Sequence, residues 1–245
     1  MEGKKYYIGF LIFFLALSDT IAGYKEIIYG AYISGDMTLW KRTIDAMELK
    51  KGKTNEYILE LVNYQYGYIG WCLGQKQKEE EAEKYLDLAE EYLEALELKS
   101  FRLSYVHAYR SAFYGYRIGL SLWQAPVIGP KSIDEAKMAM KLDAANPFGF
   151  IQYGNAQYHM PALFGGSKSI AIDYFLQAEK KMVTQMTIYA GDWNYLSLLT
   201  MIGQAFEETG NNAAARAYYE KILKVEPEFL WVKNQLYPNI LKKLK

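Results

Sequence analysis

The sequence predicts an all-α protein, a solenoid of about five stacked helical hairpins closed by a C-terminal capping helix. Three observations carry that expectation. One stretch near the end reads as a complete helix–turn–helix unit, and looser copies of its spacing recur along the chain. Only 6 prolines are spread through 245 residues, which suits helices better than a turn-rich sandwich.

In the clearest unit, Leu199, Ile202, Gly203 and Phe206 recur at three and four residues and form one face of a first helix. Gly203 removes a side chain where the second helix must approach. Gly210 followed by Asn211-Asn212 supplies a left-handed turn and then an N-cap. Ala215, Tyr219 and Ile222 make the packing face of the second helix, and Pro227 stops it.

The other elements follow in order. An opening pair over about 24–50 carries Trp40, Ile44 and Met47 at second-helix offsets. The pair at about 57–95 has a first helix from Tyr57 to Leu73 around Gly67, then Ala82, Leu86 and Ala89. At about 101–146 a first helix runs from Phe101 to Trp123. A loop from Gln124 to Lys131 with Pro126 and Pro130 follows, then a second helix with Ala136 and Met140. The pair at about 147–181 has Phe148 to Tyr158 around Gly154, an inserted loop Met160 to Ser167, then Ala171, Phe175 and Ala178. The clear unit occupies 196–229, and 230–245 forms the cap, its lysines suiting a helix C-terminus.

Residues 1–22 read as a signal peptide. Lys4-Lys5 precede an apolar run from Ile8 to Leu17, too short to span a bilayer, and small residues follow at Ala16, Ser18, Thr20 and Ala22. The expectation is an exported chain of residues 23–245, periplasmic or secreted, soluble, with no transmembrane segment in its mature form. Cys72 is the only cysteine, so an internal disulfide and a Cys-based metal site are ruled out, and no lipoprotein cysteine follows the small residues. Basic and acidic residues number 28 each, and removing Lys4, Lys5, Glu2 and Asp19 leaves 26 of each. That balance offers no basic face for nucleic acid.

On these residues the chain resembles a known family. The spacing from Leu199 to Pro227 is similar to the tetratricopeptide pattern, with Ile222 where a small residue is usual. The stretch Asn146-Pro147, Gln152-Tyr153-Gly154-Asn155 and Met160-Pro161-Ala162-Leu163-Phe164-Gly165-Gly166 resembles exported tetratricopeptide proteins of bacterial envelopes. Among these are the TatT-like components associated with TRAP transporters. The resemblance implies protein or ligand binding, with first helices lining a concave face. Counted from each first-helix glycine, that face is expected to hold Tyr64, Tyr68, Trp71, Tyr109, Tyr116, Asn155, Tyr158 and His159, with Phe148, Ser197, Thr200 and Gln204. Such an aromatic, uncharged groove suits a protein partner, or alternatively a small apolar or sugar ligand. The competing reading is that the rings pack between neighbouring repeats.

No catalytic, metal or cofactor site is expected, and the chain is not read as an enzyme. Neither His107 nor His159 has a histidine or carboxylate at i+3 or i+4. Gly165-Gly166-Ser167-Lys168-Ser169 lacks the earlier glycine and the strand of a phosphate-binding loop and reads as a capped turn. Glu79 to Glu83 reads as a solvated helix start.

Overall fold

A computed structural model describes residues 21–245; residues 1–20, which hold most of the expected targeting segment, lie outside the described part. The first pair is α1 (Ile21–Ser34) and α2 (Met37–Glu48), and the second is α3 (Asn55–Leu73) and α4 (Glu79–Leu98). The third is α5 (Leu103–Leu120) and α6 (Ala125–Leu142), and the fourth is α7 (Pro147–His159) and α8 (Lys168–Val183). A short α9 (Met186–Tyr189) precedes the fifth pair, α10 (Trp193–Glu208) and α11 (Asn212–Val225). A π-helical turn (Val232–Leu236) leads into α12 (Tyr237–Lys243). The fold is the all-α solenoid of helical pairs that the repeats predict.

Local chemistry sets the boundaries. Asp36, Thr54, Asn146, Ser167, Asp192 and Asn211 each accept a hydrogen bond from a backbone N–H in the first turn of the helix they precede. This satisfies donors that a helix start otherwise leaves open. Gly35 and Gly210 take positive φ of 72° and 81° in the turns of the first and fifth pairs. A Cβ on Gly154 would lie 2.5 Å from a Phe175 ring carbon, and one on Gly203 would lie 2.6 Å from a Tyr219 ring carbon. These two glycines let the second helix of their own pair press a ring against the first helix.

One expectation needs correction, and one expected helix carries an irregularity. The loop expected at 124–131 is mostly helix: α6 begins at Ala125, after a 3₁₀ turn at Leu122–Gln124. Pro126 sits in the first turn, where its missing N–H has no intrahelical partner to lose, and only Pro130 lies further inside. The capping helix is present over residues 230–243, and it widens to a π turn at Val232–Leu236 just before Pro238, whose ring cannot donate a backbone hydrogen bond.

Short turns make successive helices antiparallel, so all first helices run the same way and their C-terminal ends share one edge. That edge is called the hairpin edge below. The stack also curls until its ends meet, since α1 packs on α10 as well as on α3. Lys25 Nζ donates to the carbonyl oxygen of Ile188 at 2.7 Å and lies 3.6 Å from the Asp192 carboxylate. Tyr29 Oη donates to Glu226 at 2.9 Å. Inside the curl, Trp40 meets Trp193 edge-on at 5.1 Å, and Tyr32 packs on both and on Phe229.

Ion pairs tie neighbouring pairs along the outside. Arg110 grips Glu97 through two nitrogens at 2.9 and 2.6 Å, and that hydrogen bonding holds the Glu97 carboxyl below its ordinary value of 4.5. A lowered carboxylate contributes stability above the unfolded value and loses it as pH falls through the folded one. Glu97 is 43% exposed, so solvent screening keeps the pair in the surface range. Glu97→Gln is expected to cost about 0.5–1 kcal/mol at neutral pH and almost nothing near pH 2. Urea unfolding at both pH values checks this; an equal cost at both would assign the effect to packing.

Candidate functional site

The expected concave-face residues do not converge on one groove. Tyr64, Tyr68 and Tyr109 are 0%, 1% and 2% exposed, so none offers a ring to a ligand. Tyr68 packs on Tyr85 and Trp71 and donates to Glu81, which places it inside the second pair. Trp71 is half-buried beside it. Tyr64 is buried beside Glu60, and burial first, then that carboxylate, pushes its hydroxyl far above the ordinary value. Tyr158 packs on Phe175 and His159, with its hydroxyl toward Glu208, so it lies between the fourth and fifth pairs. His159 is exposed at the end of α7.

The reason for the displacement is the reference glycine. Gly154 and Gly203 face the second helix of their own pair, but a Cβ on Gly67 would lie 2.6 Å from Trp40 and 2.8 Å from Trp193. Gly67 is therefore not their equivalent, and counting from it selects the wrong face of α3. The face that looks inward carries Asn63, Tyr66 and Gly70.

Around Tyr66 the structure does assemble a site. Its ring stacks on Tyr116 at 5.7 Å and 14°, and packs on Tyr109 at 5.6 Å. Tyr116 Oη donates to the Tyr66 carbonyl at 3.1 Å, close over Gly70. From α7, Gln152 and Asn155 come near enough to moderate the rise that burial imposes on the Tyr66 hydroxyl. Asn155 Nδ2 donates to Gln152 Oε1 at 2.9 Å, which leaves Gln152 Nε2 and Asn155 Oδ1 buried without a hydrogen-bond partner. Beneath them Asn63 Oδ1 accepts from Tyr109 Oη at 3.0 Å and from Asn194 Nδ2 at 3.1 Å. A cavity of about 10 Å³ lined by Tyr66, Phe148, Ile151, Asn194, Ser197, Leu198 and Met201 adjoins this cluster, room for one water-sized molecule. Of the expected residues, then, Tyr109, Tyr116 and Asn155 come together, with Phe148 and Ser197, around a tyrosine the repeat spacing did not select.

A second hollow, about 220 Å³, opens at the seam where α1 meets the fifth pair, between Tyr29, Met186, Tyr189, Asp192, Tyr195 and Val225. Outside both, His107 Nδ1 lies 2.5 Å from Glu135, a partner supplied by α6 that no i+3 or i+4 reading of α5 could find. Burial raises the hydroxyls of Tyr66, Tyr109 and Tyr116 and lifts the Cys72 thiol to about 11, so these groups are neutral at physiological pH. The Gly165–Ser169 stretch is a turn: Ser167 Oγ caps α8, and a Cβ on Gly166 would lie 1.8 Å from the Met160 carbonyl oxygen. No helix among the described residues is long and apolar enough to cross a membrane.

The model of the tetratricopeptide repeat matches residues 196–229, the fifth pair. That pair is the last of five helical hairpins stacked in sequence. The fold is a tetratricopeptide-like solenoid. Among solved structures, the solenoid is similar to the HusA haemophore from Porphyromonas gingivalis. The TM-score is 0.60 at 17% identity, over 80% of this chain and 97% of that one. It is also similar to a thermophilic TPR protein of Thermus thermophilus, with a TM-score of 0.55 at 15% identity, over 91% of this chain and 100% of that one. At such identities the likeness describes the solenoid's shape. No curated protein matches this chain.

Proposed function

We propose that this chain is an exported, non-catalytic scaffold that binds a partner polypeptide in the cell envelope at the open part of its concave face. The observation that supports the reading is the stacked Tyr66–Tyr116 pair, half-buried, beside the Gln152 and Asn155 amides, which bond to each other and leave one polar atom each without a partner. A buried polar atom left unpaired costs about 1–3 kcal/mol, which marks this part of the face as unfinished. The half-buried tyrosine faces suit the side chains of an extended peptide laid across the concave face.

A photo-crosslinking residue placed at His159 or Gln204, near this site, tests the reading in the native cells. It should yield one defined adduct in the envelope fraction, weakened about five- to thirtyfold by Asn155→Ala. An equal yield from the exposed Trp231, in the C-terminal helix beyond the fifth pair, would sink it.

The alternative is a small apolar or carbohydrate ligand carrier, distantly TatT-like. The tyrosine-lined seam hollow and the solenoid's likeness to a haemophore favour it, but 220 Å³ falls short of the usual 300–1,000 Å³ of ligand pockets. Native mass spectrometry of the isolated protein separates the two: an added mass of a few hundred daltons supports the carrier, and a second polypeptide supports the scaffold.

A further inference from the structure

The hairpin edge carries side chains that the core does not use. Leu122 and Trp123, on the 3₁₀ turn after α5, are 76% and 79% exposed. Leu163 and Phe164, on the turn after α7, are 88% and 71% exposed, and Val127 in the first turn of α6 is exposed as well. Since α5 and α7 belong to neighbouring pairs and run parallel, both turns project from the same side of the solenoid. A lone exposed leucine needs no explanation, but two adjacent loop tips of Leu, Trp, Leu and Phe do.

The second tip is built to stand out. Gly165 takes φ 94°, and Gly166 passes so close to the Met160 carbonyl that no other residue fits. Backbone bonds from Gly166 N–H to Pro161 and from Ser167 N–H to Gln157 close the loop at its base. The apolar pair is thus held outward on a defined turn.

Charge on the same edge indicates what the tips meet. The last turn of α12 reaches this side, where Lys243 pairs with Glu207 at 2.8 Å, and it brings Lys242 and Lys245 with it. Lys131 follows the first turn of α6, and Lys168 opens α8 and pairs with Glu208. From α5 to α12, Glu207 and Glu208 at this edge are each engaged by one of these lysines and Asp173, in the second turn of α8, is a further exposed carboxylate, so Lys131, Lys242 and Lys245 leave a basic excess. On the other flank α4 is acidic: Glu83, Asp87 and Glu90 gather around Arg117 near the end of α5, and they limit the basic stretch to the C-terminal part of the solenoid.

We propose that this edge docks the protein on an anionic lipid bilayer, with Trp123, Leu122, Leu163 and Phe164 entering the interface and the lysines facing acidic headgroups. The tips are convex and separate, unlike the central pocketed anchors of protein interfaces, and tryptophan favours the headgroup level of a bilayer. Interfacial insertion combined with lysine attraction makes binding depend on both apolar contact and lipid charge. The inference goes beyond the concave-face reading and does not depend on it.

The test uses the full chain and vesicles of phosphatidylglycerol and phosphatidylcholine whose acyl chains are brominated near the headgroup. Bromine should quench tryptophan fluorescence, the quenching should vanish in Trp123→Phe, and high salt should weaken binding. Leu163→Ser with Phe164→Ser should weaken binding at least about tenfold while leaving the thermal melt unchanged. Residues 1–22 contain no tryptophan and cannot produce that quenching. Quenching that persists in Trp123→Phe, or none with anionic vesicles, overturns the proposal. So does reversible self-association in sedimentation that the same serine substitutions abolish without any vesicle effect, since the edge would then seat a second copy.

Discussion

Trp40→Ala is expected to remove about 3–5 kcal/mol of folding stability, the range for deleting a fully buried large aromatic. Trp40 is 1% exposed, donates from Nε1 to the Tyr64 carbonyl at 3.0 Å, and meets Trp193 edge-on. Its loss therefore leaves a void, an orphaned acceptor and a broken contact between the first and fifth pairs. Gly67 cannot refill the gap, because it has no side chain on the face that meets both tryptophans. Urea denaturation followed by circular dichroism should show the loss, and the half-exposed Trp231→Ala serves as the control, with a cost below about 1 kcal/mol. A cost for Trp40→Ala as small as the control's would mean that the ends of the curl do not support each other.

Asn63→Ala is expected to cost about 2–4 kcal/mol, because the amide oxygen serves two buried donors at once. Without it the Tyr109 hydroxyl has no partner, and Asn194 keeps only its bond to Asp192. Tyr109→Phe alone should cost about 1–2 kcal/mol, since it removes the hydroxyl together with the bond. The double variant should then cost clearly less than the sum, because the Tyr109 donor that Asn63→Ala strands is gone. Stability measured for the two single variants and the double variant closes the cycle. Strict additivity would show that Tyr109 and Asn63 do not share a network.

The fifth pair was legible because its packing is local. Gly203, Tyr219, Gly210 and Asn211 lie within one hairpin, and their spacing states which residues must touch. The same logic placed the loop before Ser167 between the helices of the fourth pair. It failed in α3, where Gly67 is small for a different reason: it makes room for Trp40 and for Trp193, more than a hundred positions away. Periodicity reports which residues share a face but not which neighbour that face meets, so Tyr64, Tyr68 and Trp71 were assigned to the groove and Tyr66 was missed. The prolines at 126 and 130 misled for another reason. Proline reads as a helix breaker, yet the first turn of α6 tolerates it, and the exposed Leu122-Trp123 turn was hidden inside the expected end of a helix.

The seam between α1 and the fifth pair also bears on how the chain acquires its structure. Lys25 with Ile188 and Tyr29 with Glu226 join residues 163 and 197 positions apart, and Asn63 with Asn194 joins residues 131 apart, whereas the contacts inside each helical hairpin are local. Contacts of such sequence separation form late, after the entropy of a long loop has been overcome. At ribosomal rates of about 5–20 residues per second, the first hairpin waits roughly 10–30 s for its distant counterpart. During that interval Tyr32 and Trp40 lack the surface that finally covers them, so the nascent N-terminal half is the part of the molecule with most need of a chaperone.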